Sequence, residues 1–198
     1  FNAFSNKNNK KIMKILHIVG GSLKNGAAKG AYILHKSLIK NKVDSKILSD
    51  DFFQNQSLID EIKKDKIFFI NNSFLKNFLR TIYIFIEKFL KSIFLHSPRE
   101  TFTLGFLGFD ITKNEIFKEA NIIHIHWLSQ GFISLKSLSK IEKPIVWTMR
   151  DEWPFTSGAH YISDFSKFES SFISSLIKKK KFKNFNKNIQ FVAVSDWL

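Results

Sequence analysis

A short apolar run that ends on two glycines and leads into a helix constrains this chain more than anything else in it. Lys14-Ile15-Leu16-His17-Ile18-Val19 runs into Gly20-Gly21, which marks a buried strand closed by a tight turn. Residues 26–42 then follow a helical pattern, with Ala27, Ala28, Ala31, Ile33, Leu34, Leu38 and Ile39 expected to face inward. Further strand-like runs fall at 43–48, 67–70, 121–126, 144–149 and 189–195, and helical stretches separate most of them. Alternation of this kind predicts an α/β fold: a Rossmann-like, mainly parallel sheet with helices on both faces.

The rest of the chain fits one such domain. Its 198 residues are 44% hydrophobic, enough to bury a core. Residues 1–11 read as a low-complexity Asn/Lys leader, and 12–198 as the domain, with an amphipathic helical insertion at about 73–96. No apolar run precedes the first strand, so no signal peptide is visible. The absence of cysteine excludes a disulfide scaffold, a thiolate metal site and a cysteine nucleophile.

The formal charge of +14 permits an acidic partner, but it is almost all lysine: Arg80, Arg99 and Arg150 are the only arginines. Lys, Asn, Ile and Phe are abundant together, as an AT-rich coding sequence produces. The run Lys178-Lys179-Lys180-Lys181 reads as a solvated helix end, and no nucleic-acid partner is expected.

Three segments carry candidate chemistry. The loop from Gly20 to Gly30 is either a close strand–helix turn or an anion site at a helix N-terminus. Gly21 to Gly26 has the spacing of a nucleotide-triphosphate loop, but Ala27-Ala28 stand where Lys-Ser/Thr is required, and the G-x-G-x-x-G fingerprint does not fit. His124 and His126 share one face of a strand, with His126 at the strand exit; they are either packed side chains or site residues. As metal ligands they lack a third partner, so no metal is expected. The next strand exit gathers Arg150, Asp151, Glu152, Trp153, Phe155, His160 and Tyr161. Aromatic rings beside a few polar groups suit a sugar, whose C–H face stacks and whose hydroxyls need fixed partners. A weaker reading is a dehydrogenase that holds a ribose through Asp50 or Asp51.

From Phe74 to Leu95 the apolar residues form a wide helical face, with Lys76, Arg80, Lys88 and Lys91 on much of the remainder. The helix either packs on the sheet or lies with these cations toward an anionic membrane. Its charges interrupt it too often for a span of roughly 20 apolar residues.

Taken together, residues 14–20, 26–32, 122–127, 143–148, 151–161 and 192–198 make the chain resemble the N-terminal domain of a family 4 glycosyltransferase of the bacterial surface-polysaccharide kind. The stretch from Trp147-Thr148 to His160-Tyr161 is the most specific. The resemblance implies the N-terminal half of a GT-B fold, the acceptor side of a retaining sugar transferase. The partners it implies are a nucleotide-sugar, used as substrate with no cofactor, and a glycan or lipid-linked acceptor. It also implies a cytoplasmic location, peripheral on the inner face of the membrane. Gly20 and Gly21 map to the donor diphosphate, His126 and Asp151 to the catalytic positions, and Trp127, Arg150, Trp153, His160 and Tyr161 to acceptor or sugar binding. The chain departs from the pattern at Arg150, where relatives tend to have His, at Ser157 (Gly) and at Ala159 (Cys). The C-terminal donor domain of the family is expected to be absent from this chain, which opens on Phe1 and stops at Leu198. A chain without that half would be inactive alone, or a binding module for acceptor or membrane.

Overall fold

A computed structural model describes residues 12–21, 26–50, 65–70, 73–94, 101–128, 130–161, 166–185 and 188–196. The leader, the middle of the glycine loop (22–25) and Asp51 lie outside these residues.

Six strands form the sheet: β1 (Lys14–Val19), β2 (Asp44–Ser49), β3 (Ile67–Phe69), β4 (Ile122–Trp127), β5 (Ile145–Met149) and β6 (Ile189–Ala193). Every pairing is parallel, and the spatial order is β3-β2-β1-β4-β5-β6. This is the doubly wound Rossmann-like order, with its topological switch between β1 and β4. The strand runs expected from sequence all form, within a residue or two of their expected ends.

One sheet face carries the larger core. Leu16, Ile18, Ile123, Ile125, Ile145 and Trp147 pack there with Phe132, Leu135 and Trp153. The opposite face is covered by α1 (Gly26–Lys40), which packs on β1, β2 and β4. Its core is small, built on Val19, Ala28, Ala31, Ile47 and Ile67. Two inward assignments fail here: Ile33 and Leu34 are exposed, and His35 is buried in their place. The His35 imidazole is tied at both nitrogens, by Ser45 Oγ at 2.8 Å and the Asp65 carbonyl at 2.7 Å. A polar anchor therefore sets the rotation of this helix where an apolar stripe was expected to.

The same substitution of anchors governs α2 (Phe74–Phe94). Its buried stripe is Arg80, Tyr83 and Glu87, at helical spacing. Phe74, Leu75, Phe78, Leu79, Ile82, Phe85, Ile86 and Phe89 are exposed. Packing of the apolar face on the sheet is therefore not what holds this helix. Arg80 donates from Nη1 and Nη2 to the Asp50 carboxylate at 2.7 and 2.5 Å, and from Nε to the Gln130 carbonyl at 2.7 Å. The helix is thus pinned across the exits of β2 and β4. Arg80 is corrected as a membrane-facing cation, because it is spent on a buried ion pair. Lys76 and Lys88 are exposed and Lys91 half-buried. No helix among the described residues is long and apolar enough to cross a membrane.

The helices α3 (Glu115–Glu119), α4 (Leu135–Ser139), α5 (Ser166–Glu169) and α6 (Phe172–Phe182) complete the described α-helices. In α6 the lysine run is not wholly solvated. Lys181 is fully buried, donates to the Trp153 carbonyl at 2.7 Å and lies 3.8 Å from the Trp153 ring centre. Burial pulls its ammonium down to about 7.

Candidate functional site

In an open parallel sheet, ligands bind outside the carboxyl ends of the strands at the switch point. Here that crevice lies between the exits of β1 and β4, at Gly20-Gly21 and His126-Trp127. The two exits are joined by the Gly20 N–H, which donates to the Trp127 carbonyl at 2.8 Å. Gly21 turns the chain at φ +78°, in the left-handed region that glycine adopts without strain.

The register is irregular at this point. Ile18 stands opposite Ile125, but Val19 stands opposite Trp127, so His126 is an extra residue on β4. Such a bulge re-aims a side chain, and bulges concentrate beside active sites. His126 stacks on His124 with ring centres 4.1 Å apart. His17, on β1 directly opposite His124, completes the group: its Nδ1 lies 3.0 Å from His126 Nε2. His124 Nε2 is held by Thr148 Oγ1 at 2.8 Å. Burial is the main cause that keeps all three rings neutral. It lowers His17 to about 3, His126 to about 2 and His124 to about 4, helped by the neighbouring imidazoles and, for His124 and His126, by the Arg150 guanidinium.

Arg150 leaves β5 and reaches toward α1. A Cβ on Gly30 would stand 2.5 Å from its Nη2, so the glycine there makes room for the guanidinium. Its Nε is buried without a hydrogen-bond partner, and burial lowers its pKa. A cationic donor left so at a strand exit has the chemistry to accept an anion as partner.

Asp151 is 7% exposed, and its carboxylate accepts three donors: Trp127 Nε1 at 2.9 Å, His160 Nδ1 at 2.5 Å and the Trp153 N–H at 3.2 Å. So engaged, the carboxylate positions Trp127 and the 152–160 loop. Trp153 is corrected as a sugar platform. It is 2% exposed, with its indole N–H on the Thr103 carbonyl at 2.6 Å. His160 is buried beside it, whereas Trp127 is half-buried and Tyr161 exposed.

The structure therefore places Gly20, Gly21, His126, Trp127 and Arg150 at the neighbouring exits of β1, β4 and β5, with His126 buried, and sends Trp153 to the core. His17 is the residue that sequence reading passed over. Its signal was available: pairing β1 with β4 in the doubly wound order sets it beside His124. The dehydrogenase reading loses Asp50, whose carboxylate is occupied by Arg80.

No protein-family model matches this sequence, and no curated protein matches it. Among solved structures, the crystal structure of a glycosyltransferase from Rickettsia africae ESF-5 is similar at 15% identity with a TM-score of 0.36. The match covers 92% of this chain and 43% of that one.

Proposed function

We propose that this chain is the acceptor-side half of a retaining glycosyltransferase of family 4. It would move a sugar from a nucleotide-sugar to a glycan or lipid-linked acceptor in surface-polysaccharide synthesis. The observation that carries the reading is the Arg150 guanidinium, whose Nε is buried without a partner, at the strand exit next to the one at which His126 bulges. That pairing offers a cation for a phosphate or acidic sugar group. Beside it stands a neutral imidazole able to donate to, or accept from, a reacting sugar hydroxyl. The sequence resemblance supplies the reaction class, and transfer also draws on groups of a second, donor-side domain.

A groove of about 620 Å³ beside α2 suits the lipid portion of an acceptor. Leu79, Tyr83 and Ile86 face Leu107 and Phe109 across it, with Lys113 on its wall. The exposed phenylalanines of α2 suit the membrane that would present such a lipid, so peripheral contact with a bilayer forms part of this reading.

The test is sugar transfer by this chain joined to a donor-side domain, compared with its His126→Ala variant. If His126 donates to charge that develops only in the transition state, turnover falls about 10²-fold with KM little changed. Unchanged turnover in a variant with wild-type circular dichroism would refute the assignment. The 198-residue chain alone is expected to transfer no sugar.

A further inference from the structure

Three imidazoles from two adjacent strands meet beneath α1. One nitrogen from each of His17, His124 and His126 lies within 4.8 Å of the others, and this is the one such cluster among the described residues. We infer that these three side chains form a binding site for a divalent late-transition ion of the zinc class. The fourth coordination position would be open to water or to an anionic oxygen.

The ligand chemistry selects the ion. Neutral imidazole nitrogens suit Zn²⁺, Co²⁺, Ni²⁺ and Cu²⁺, whereas Mg²⁺ and Ca²⁺ require the oxygen donors that this cluster lacks. Zinc bonds to imidazole at about 2.0–2.1 Å, which sets tetrahedral ligand nitrogens roughly 3.3 Å apart. His17 and His126 already approach to 3.0 Å, so small side-chain rotations complete the triad. The scaffold is rigid, because sheet register and the bulge fix which rings meet.

The outer ring nitrogens are partnered in one imidazole of the three. His17 Nε2 and His126 Nδ1 are buried without hydrogen-bond partners, in side chains that are 0% and 1% exposed. Thr148 Oγ1 on His124 is the outer partner that fixes a ligating imidazole in orientation. His124 and Arg150 are half-buried, so the cluster lies near the surface on that side. With no carboxylate in the triad and Arg150 nearby, an anion in the fourth position is favoured over water. The ion would staple β1 to β4 at the crevice.

The experiment is a titration of the metal-free, tag-free chain with Co²⁺, read by its visible d–d absorption. The result expected is one equivalent bound with the intensity of a low-coordinate site, displaced by Zn²⁺ and unaffected by excess Mg²⁺. His17→Asn and His124→Asn should each weaken binding at least tenfold. Thr148→Val, which keeps all three imidazoles, should weaken it about 10–100-fold and stands in should a histidine variant fail to fold. A wild-type chain that takes up no Co²⁺, or uptake unchanged in folded variants, overturns the inference. This readout is independent of sugar transfer, so it fails or succeeds separately from the functional reading.

Discussion

Asp50→Ala is the most informative single change to the architecture, because it removes one partner of a buried pair and leaves the other. The Arg80 and Asp50 side chains are 3% and 2% exposed. The guanidinium makes two parallel bonds to the carboxylate at 2.7 and 2.5 Å. Stranding a buried charge costs about 3–5 kcal/mol, far above the about 0–1 kcal/mol of a surface pair. In a domain of this size each kcal/mol lowers Tm by about 2–4 °C, so a fall of roughly 6–20 °C is expected. Urea denaturation followed by tryptophan fluorescence and far-UV circular dichroism measures it. The double variant Asp50→Ala with Arg80→Met should be more stable than Asp50→Ala alone, because the stranded cation is gone. Limited proteolysis should cut α2 faster in the single variant. An Asp50→Ala cost under about 1 kcal/mol, or a double variant at the sum of the singles, would show that the pair is not what anchors α2.

Glu87, on the buried stripe of the same helix, gives a pH signature. Burial, opposed by hydrogen bonds from Tyr83 and Leu104 and by the Lys181 charge, raises its carboxyl from 4.5 to about 7. The folded state therefore holds this proton more tightly, and the contribution of Glu87 to stability falls as pH rises from about 4.5 through about 7. The difference between wild type and Glu87→Gln, measured by urea titration at pH 4.5 and 7.5, should change by up to about 3 kcal/mol; no pH dependence in that difference would contradict it. For the bilayer contact proposed above, Phe78, Phe85 and Phe89 changed together to Ser should abolish co-sedimentation with anionic vesicles. Lys76, Lys88 and Lys91 changed to Gln should weaken it by about 1 kcal/mol per lysine at low salt; unchanged pelleting in the Phe variant would remove the bilayer contact.

The sheet was legible because each strand is a short β-rich run between turn residues, and the doubly wound order follows from the strand–helix alternation. The helix at 74–94 was legible as a helix, but its orientation was not. Hydrophobic periodicity finds an apolar face and assumes that the face turns inward. That assumption failed at α1, where His35 replaced Ile33 and Leu34, and again at α2. In both, one buried polar group with fixed partners on other strands or loops outweighed the stripe. Partners so distant in sequence, Arg80 with Asp50 and His35 with Asp65, leave no local pattern. The site was half legible for a related reason. His126 and Arg150 sit at strand exits, a position readable from the run that precedes them. The tying of Asp151 by Trp127 and His160, and the withdrawal of Trp153 behind Thr103, depend on loop packing that spacing does not encode.

The inverted orientation of α2 also bears on what the crevice can receive. Had the phenylalanines faced the sheet, Arg80 would point to solvent, and Asp50 would lose the guanidinium that holds it. With Arg80 inward, Asp50 and the Gln130 carbonyl are bound to one helix, which becomes a wall of the ligand edge. The polar inner stripe shapes the groove that Leu79, Tyr83 and Ile86 line, while the outer stripe stays uncovered. Among the described residues this stripe exposes at least eight large apolar side chains, and exposed patches of that size mark interaction surfaces. The acceptor reading proposed above requires the groove and the outer stripe to meet the same bilayer, so that an acceptor with an apolar tail would come to Arg150 and His126 from that surface.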